Sequence, residues 1–172
     1  IDQVQIHTEV VIDANTDSKY INLDFFHPVK EFFWIIQKTT NLNPADSKDG
    51  NHLLTYSDPS NNTEMFSTSE LIFNGKKRYE PRDSKFFRIA QPSATHSFIP
   101  DKRIYMYSFS LFPEKYQPSG SCNFGRIDNA ELVLNFDSSS SYYSSERRVK
   151  IYALSYNIFK IQSGMGGVVF SN

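Results

Sequence analysis

The residue types that most often bind metals or carry catalysis are scattered through this sequence. The four histidines form none of the spacings typical of zinc or iron sites, such as H-E-x-x-H; they are His7, His27, His52 and His96. Cys122 is the single cysteine, so no disulfide can form within the chain and no second thiol completes a metal site. Distant side chains could still converge in the fold, but the sequence predicts no metal and no cofactor.

Three short motifs resemble catalytic signatures only superficially. Residues 164–167 (GMGG) lack the Lys-Ser/Thr of a phosphate-binding loop, and no helix pattern follows them, so we interpret them as a backbone turn or bulge. Residues 119–121 (SGS) do not form a G-x-S-x-G nucleophile motif. Asp128 and Glu131 fall on opposite faces of a predicted strand and cannot act as a carboxylate pair. We therefore expect no catalytic residue and no enzyme.

The charge balance gives no reason to expect nucleic acid as a partner. The 18 basic and 19 acidic residues leave a formal net charge of −1, without the excess of basic residues that binds phosphates. Arg147, Arg148 and Lys150 form a small basic cluster, which we interpret as the solvated start of a strand. No apolar run approaches the roughly 20 residues of a membrane span. We expect neither direct nucleic-acid binding nor membrane insertion.

Strand patterns dominate the chain. Val4, Ile6, Thr8, Val10 and Ile12 alternate with polar residues, which predicts one strand with that face buried. Residues 29–38 and 104–112 are apolar on both faces, which indicates strands covered on both sides. Residues 128–136 alternate cleanly, with Ala130, Leu132, Leu134 and Phe136 on one face. Residues 149–162 predict one long strand with a bulge or bend near Ser155.

Between the strands lie turns, loops and one helix. Residues 83–91 predict a helix of about two turns, capped by Asp83 and ended by Pro92. Asn74-Gly75 is a turn signal. The polar stretch 39–64 predicts a long surface loop anchored only by Leu53, Leu54 and Tyr56, and residues 138–145 a second exposed loop. Together these features favour an all-β sandwich or barrel.

A glycosylation signal also lies in the first of these loops. Asn61-Asn62-Thr63 is an N-x-T acceptor triplet, which makes Asn61 a candidate glycosylation site. Such triplets are frequent by chance, and nothing else in the sequence indicates the secretory route.

Several segments resemble one protein family. Residues 118–130 (PSGSCNFGRIDNA) resemble the PSGxxNFSRIDN signature of major capsid proteins of nucleocytoplasmic large DNA viruses. Residues 151–167 with 170–172 look like the carboxyl terminus of iridovirus and phycodnavirus capsid proteins, and residues 27–37 resemble a third segment. Residues 82–92 followed by 104–109 are similar too. The matches are in family order from about Phe26 to Asn172; Gly125 stands where the family often has Ser.

The resemblance implies an all-β fold, an eight-stranded antiparallel jelly-roll sandwich with one short helix and long loops. It implies a subunit of two tandem jelly rolls, with three subunits forming a pseudo-hexagonal capsomer of an icosahedral viral shell. The length of 172 residues fits a single domain, and the start at Ile1 without an initiating Met indicates a piece of a longer chain or a processed one. The resemblance then implies that residues 1–172 are the C-terminal jelly roll, with the N-terminal jelly roll preceding it.

The expected partners follow from the same resemblance. They are copies of the subunit in a homotrimer, the N-terminal jelly roll of the same subunit, neighbouring capsomers and minor capsid proteins. The expected location is the virion capsid, with assembly in the cytoplasm of the infected cell.

The motif at residues 123–129 has two interpretations. Phe124 and Ile127 can anchor a bend into the following strand while Arg126 and Asp128 pair or bond to loop backbone. Alternatively, Arg126 makes a trimer contact.

Two other functions are compatible with the residues. One is a carbohydrate-binding jelly roll on a virion surface, with exposed Tyr142 and Tyr143 or the loop at residues 39–64 stacking on sugars. The other is a β-sandwich enzyme, which needs a deep pocket gathering histidine and carboxylate side chains.

Overall fold

A computed structural model describes residues 1–42, 52–58 and 62–170. Within them the strands, in chain order, are β1 Asp2–Ile6, β2 Val10–Ile12, β3 Ser18–Asn22, β4 Pro28–Lys38, β5 Thr68–Phe73, β6 Lys76–Lys77, β7 Arg82–Asp83, β8 Tyr105–Ser108, β9 Cys122–Asn123, β10 Ala130–Asn135, β11 Arg147–Tyr156, β12 Phe159–Gln162 and β13 Met165–Val168. The helical segments are α1 Thr39–Leu42, a π-helical turn Phe86–Ala90 that continues into α2 Gln91–Thr95, and a 3-10 turn Phe124–Arg126.

Two antiparallel sheets form a sandwich. The larger sheet has the order β1-β11-β4-β8, with β2 added beside β11 and β9 beside β4. The smaller has the order β3-β10-β5-β6, with β7 beside β5, and β12 and β13 form a separate hairpin. The jelly-roll expectation is confirmed in its all-β, antiparallel character. The number of strands is wrong, because short edge strands and the separate hairpin raise it from eight to thirteen among the described residues.

The core lies between the two sheets and is rich in aromatic rings. Trp34, Phe32 and Ile36 point inward from β4 and are fully buried, and Leu132 and Leu134 face them from β10. The Trp34 ring centroid lies 5.4 Å from that of Phe32 and 5.2 Å from that of Phe87, which the π-helical turn brings over the core. The alternation predicted for residues 130–136 is confirmed on this inward face.

The first predicted strand is wrong in its orientation. Residues 2–12 form two strands, and Val4 and Ile6 are 60% and 74% exposed while Gln5 is buried. The Gln5 amide is tolerated inside because its Nε2 donates to Phe26 O at 2.6 Å and its Oε1 accepts from Phe26 N at 2.8 Å. The break at residues 7–9 shifts the alternation, so that Ile12 is fully buried as predicted.

The predicted helix differs at its C-terminal end. Helical structure begins at residues 84–85, directly after Asp83, and continues through Phe86–Ala90 and Pro92 to Thr95. Pro92 does not end the helix; it lies in the first turn of α2, directly after the π-helical turn. Asp83 Oδ1 accepts a hydrogen bond from Lys85 N at 2.8 Å at the start of this segment, as predicted for the capping residue.

The long strand predicted over residues 149–162 is divided. The register between β11 and β4 shifts at Leu154/Ser155, which confirms the expected irregularity. The strand then ends at Tyr156, and β12 belongs to a different sheet. The break falls at Asn157, whose Oδ1 accepts a hydrogen bond from Ile158 N at 2.7 Å and turns the chain away.

The loop at residues 39–64 is anchored by polar groups rather than by leucines. Leu53 and Leu54 are 46% and 63% exposed, so their predicted role is wrong. Asp58 is fully buried instead, and its carboxylate lies 2.9 Å from Lys38 Nζ. A buried carboxylate needs such a partner, and the ion pair fixes this part of the loop to the end of β4.

Candidate assembly surfaces

The turn at residues 123–129 begins with a buried aromatic anchor. Phe124 is 3% exposed. Its ring packs edge-on against three core rings, those of Phe25, Phe73 and Phe109, at centroid distances of 5.8, 5.7 and 5.9 Å. Asn123 Oδ1 accepts a hydrogen bond from Gly125 N at 3.1 Å and starts the 3-10 turn. The ring and this cap together set the direction in which the chain enters β10.

Arg126 ends the 3-10 turn and Asp128 follows it, and both side chains are exposed. In the described part of the chain no ion pair joins them. Arg126 borders a shallow groove with Phe26, His27 and Phe170, and the His27 and Phe170 ring centroids are 5.7 Å apart. The motif thus has an inward half that holds the fold and an outward half that faces solvent.

The outer face of the larger sheet carries an apolar row. Phe33 lies opposite Met106 on β8 and opposite Tyr152 on β11, and Tyr152 lies opposite Ile6 on β1. All four side chains point away from the core, because their neighbours along each strand point into it. The row therefore crosses all four main strands, which agrees with the prediction that residues 29–38 are apolar on both faces.

Beside this row lies an apolar groove of about 520 Å³, which extends from Phe33, Met106 and Tyr152 to the segment after α2. Phe98, which lines the groove, is 70% exposed. An apolar groove with an exposed aromatic side chain marks a contact site in folded proteins.

A buried acid–imidazole pair adjoins the groove. Glu31 is 3% exposed, and its Oε2 lies 3.3 Å from His96 Nε2 without a hydrogen-bond partner in the described structure. Burial raises the pKa of Glu31 to about 7, although nearby Lys30 acts in the opposite direction. Burial also lowers the pKa of His96. Both shifts favour the neutral forms of the Glu31 carboxyl and the His96 imidazole. Neutral side chains suit an outer sheet face that a partner covers.

Among the residues that the structure describes, Glu31 and His96 come closest to the histidine–carboxylate pocket that an enzyme would require. Glu114 also lines the groove, but the remaining lining is almost entirely apolar. Residues 1–42, 52–58 and 62–170 contain no group of three or more histidine, cysteine or acidic side chains placed to hold a metal ion. None of their helices is long and apolar enough to cross a membrane.

Tyr142 does not offer the sugar-stacking surface considered above. It is 3% exposed, and its ring lies 5.5 Å from the guanidinium carbon of Arg147. Arg147 is itself fully buried, 4.2 Å from the Phe136 ring. The interpretation of Arg147 as a solvated residue is therefore wrong: cation–π contacts on two sides cover it. Asn61 lies outside the described residues.

Sequence reasoning missed three polar residues that organise these surfaces. They are Gln5, Glu31 and Asn157. Glu31 had a usable signal, since a carboxylate within the apolar run of residues 29–36 must be paired, neutral or at an interface. Gln5 and Asn157 had none, because most of their hydrogen-bond partners are distant in sequence: Gln5 bonds Phe26 and Ser155, and Asn157 bonds Gln3 and Phe170.

A two-sheet β-sandwich with apolar side chains on its outer face fits a structural protein that packs against others. The family model described as "Large eukaryotic DNA virus major capsid protein" matches residues 1–167. The chain belongs to this family, which is a family of structural proteins and not of enzymes.

Individual capsid proteins are also similar to this chain. The chain is 44% identical over 105 residues to the major capsid protein of Chrysochromulina ericina virus, covering 61% of this chain and 18% of that protein. It is 31% identical to that of Pyramimonas orientalis virus, covering 93% of this chain and 40% of that protein. The solved structure of PBCV-1 VP54 superposes with a TM-score of 0.78 at 27% identity, covering 99% of this chain and 51% of that one. The chain thus spans about half or less of these relatives.

Proposed function

We propose that this chain is the C-terminal jelly roll of a major capsid subunit, and that the subunit assembles as trimeric pseudo-hexagonal capsomers into an icosahedral shell. The observation that carries the proposal is the match of the capsid family over residues 1–167. The similarity of this chain to about half of PBCV-1 VP54 supports a second jelly roll in the same subunit.

The apolar outer face supports packing against large partners. The row formed by Met106, Phe33, Tyr152 and Ile6 spans the sheet and continues into the groove beside Phe98. Met106 is only 3% exposed, whereas Phe33 and Tyr152 are partly exposed and Ile6 is 74% exposed. Aromatic side chains are enriched at the centres of protein interfaces. The proposed partners are the N-terminal jelly roll, further copies of the subunit, neighbouring capsomers and minor capsid proteins, within a virion assembled in the infected-cell cytoplasm.

Within the motif at residues 123–129 we propose different roles for the two halves. Phe124 is the structural anchor, since its ring is buried among core aromatics. Arg126 is the trimer contact, since its guanidinium is exposed beside an apolar groove. Asp128, exposed two residues later, belongs to the same outward surface.

The test is the oligomeric state of the full-length subunit. Light scattering after size exclusion is expected to give the mass of three subunits, and electron microscopy a pseudo-hexagonal particle. Arg126→Ala is expected to weaken the trimer about tenfold or more, as loss of an interface arginine does. Arg78→Ala, at another exposed arginine, is the matched control. A subunit that stays monomeric at every concentration would rule out the capsomer.

A further inference from the structure

The last described segment of the chain is a hairpin without a core of its own. The terminal hairpin (residues 158–170) consists of β12 and β13, and every residue of both strands is exposed. Its turn is tight and well formed: Ser163 and Gly164 have φ of +54° and +77°, as in the two-residue turns that join twisted strands. The hairpin thus has a definite shape, although no other part of the described domain covers it.

The terminal hairpin has one apolar face. Phe159 pairs with Val168 and Ile161 with Gly166, so these four residues share a face. Phe159, Ile161 and Val168 are 51%, 71% and 46% exposed. The Phe159 ring contacts the position of Gly166, where an added Cβ would come within 2.8 Å of Phe159 Cζ. Lys160 and Gln162 lie on the opposite face, together with Met165.

The base of the hairpin is held rigidly by one buried amide. Asn157 is 4% exposed. Its Nδ2 donates to Gln3 Oε1 and to Phe170 O, both at 2.7 Å, and its Oδ1 accepts from Ile158 N at 2.7 Å and from Phe170 N at 3.3 Å. These bonds tie both ends of the hairpin to β1, so its apolar face has a fixed direction rather than that of a free tail.

A rigid apolar hairpin in water is an unfavourable arrangement. Isolated two-stranded hairpins are marginally stable at best, and three or more strands or a packing partner are needed for independent stability. Fixing the apolar side chains in place without burying them gains nothing that offsets the lost conformational entropy. The arrangement becomes favourable only if a partner covers Phe159, Ile161 and Val168.

We propose that the terminal hairpin is a docking arm for the other half of the same subunit, and that its Phe159–Ile161–Val168 face packs against that half. This proposal rests on the proposed function, in which another jelly roll precedes Ile1. Ile1 and Asn157 exchange two backbone hydrogen bonds of 2.8 Å, so the chain enters β1 directly beside the base of the hairpin.

That geometry is what favours the same subunit over a second copy. A preceding domain attached at Ile1 is held next to the hairpin by the chain itself, which gives it a high effective concentration there. The length is also sufficient, since this chain covers 51% of PBCV-1 VP54 and leaves about as much again for the other half.

A photocross-link from the hairpin identifies the occupant. In the full-length subunit, p-benzoylphenylalanine replaces Ile161 on the apolar face or, as the matched control, Gln162 on the opposite face. After irradiation, denaturing electrophoresis separates products of one-subunit mass from those of two-subunit mass, and peptide mapping locates the bond. We expect position 161 to give a product of one-subunit mass, joined to residues upstream of Ile1, with at least fivefold more product than position 162.

Other outcomes overturn the proposal. A product of two-subunit mass from position 161 shows that a second copy covers the hairpin. Equal, low yields from positions 161 and 162 show that the apolar face is solvated. The oligomeric state is measured on the same samples. A monomeric subunit that forms the expected cross-link contradicts the proposed capsomer but not the docking arm. A trimeric subunit that does not form the cross-link contradicts only the docking arm.

Discussion

Strands β11 and β12 lie almost next to each other in the chain and have opposite surroundings. Val149, Ile151 and Ala153 of β11 are at most 1% exposed, whereas Phe159 and Ile161 of β12 are 51% and 71% exposed. Both segments alternate in the same way. The difference is that β11 lies between β4 on one side and β1 and β2 on the other, above a core, while β12 pairs with β13 alone. A strand pattern therefore indicates which side chains must be buried against a partner. The adjacent strands determine whether this chain itself buries them.

The sharpest test of this comparison removes the same atoms from each strand. Ile151→Ala is expected to lower the free energy of unfolding of this chain by about 3 kcal/mol, because the side chain is fully buried and leaves a cavity. Ile161→Ala is expected to change it by less than about 0.5 kcal/mol, because that side chain is already in water. Urea unfolding of the two variants measures both values. Equal losses would mean that the hairpin is packed within this domain.

A smaller effect is expected from the buried carboxyl beside β11. Glu31 keeps its proton in the folded chain up to a pKa of about 7, against 4.5 when unfolded. Between these values the unfolded chain binds fewer protons, so the free energy of unfolding falls as pH rises from 4.5 to 7, and the loss persists above 7. Glu31→Gln removes this dependence. Relative to the unsubstituted chain, the variant is expected to gain about 2 kcal/mol more in free energy of unfolding at pH 8 than at pH 4.5.

Urea unfolding across this pH range measures the effect of Glu31→Gln. Glu80→Gln is the matched control, because the Glu80 side chain is 81% exposed. An unchanged pH profile in Glu31→Gln would show that Glu31 ionises normally inside the fold, and that its neutral form is not what the outer face requires.

The smallest effect concerns the hairpin itself. Gly166→Ala is expected to displace the Phe159 ring, since its Cβ would lie 2.8 Å from Phe159 Cζ, while Gly167→Ala meets nothing within 4 Å. Both changes should cost this chain less than about 0.5 kcal/mol, because the ring can move into solvent. Proton chemical shifts of the Phe159 ring report the difference. Identical shifts in the two variants would show that Phe159 does not rest on Gly166.

Much of the framework could be predicted from the sequence, because it depends on local alternation. The inward face of residues 130–136, the irregularity at Ser155 and the turn at Asn74-Gly75 follow from period and turn chemistry, and the structure has each of them. The doubly apolar run at residues 29–38 also predicted that β4 would carry apolar side chains on an outward face. The identity of the family came from ordered motifs and not from these patterns.

The tertiary structure alone decided where polar groups are buried. Gln5 points inward because the backbone of Phe26 matches its amide, and this reversed the face assigned to β1. Arg147 is buried because Phe136 and Tyr142 enclose it. Asn157 divides one predicted strand into β11 and an exposed hairpin. In each case the partner is distant in sequence or is a backbone group. The alternation of apolar and polar residues along a strand indicates neither kind of partner. Apolar alternation is a local property of a sequence, whereas the satisfaction of a buried polar atom is a property of the whole fold.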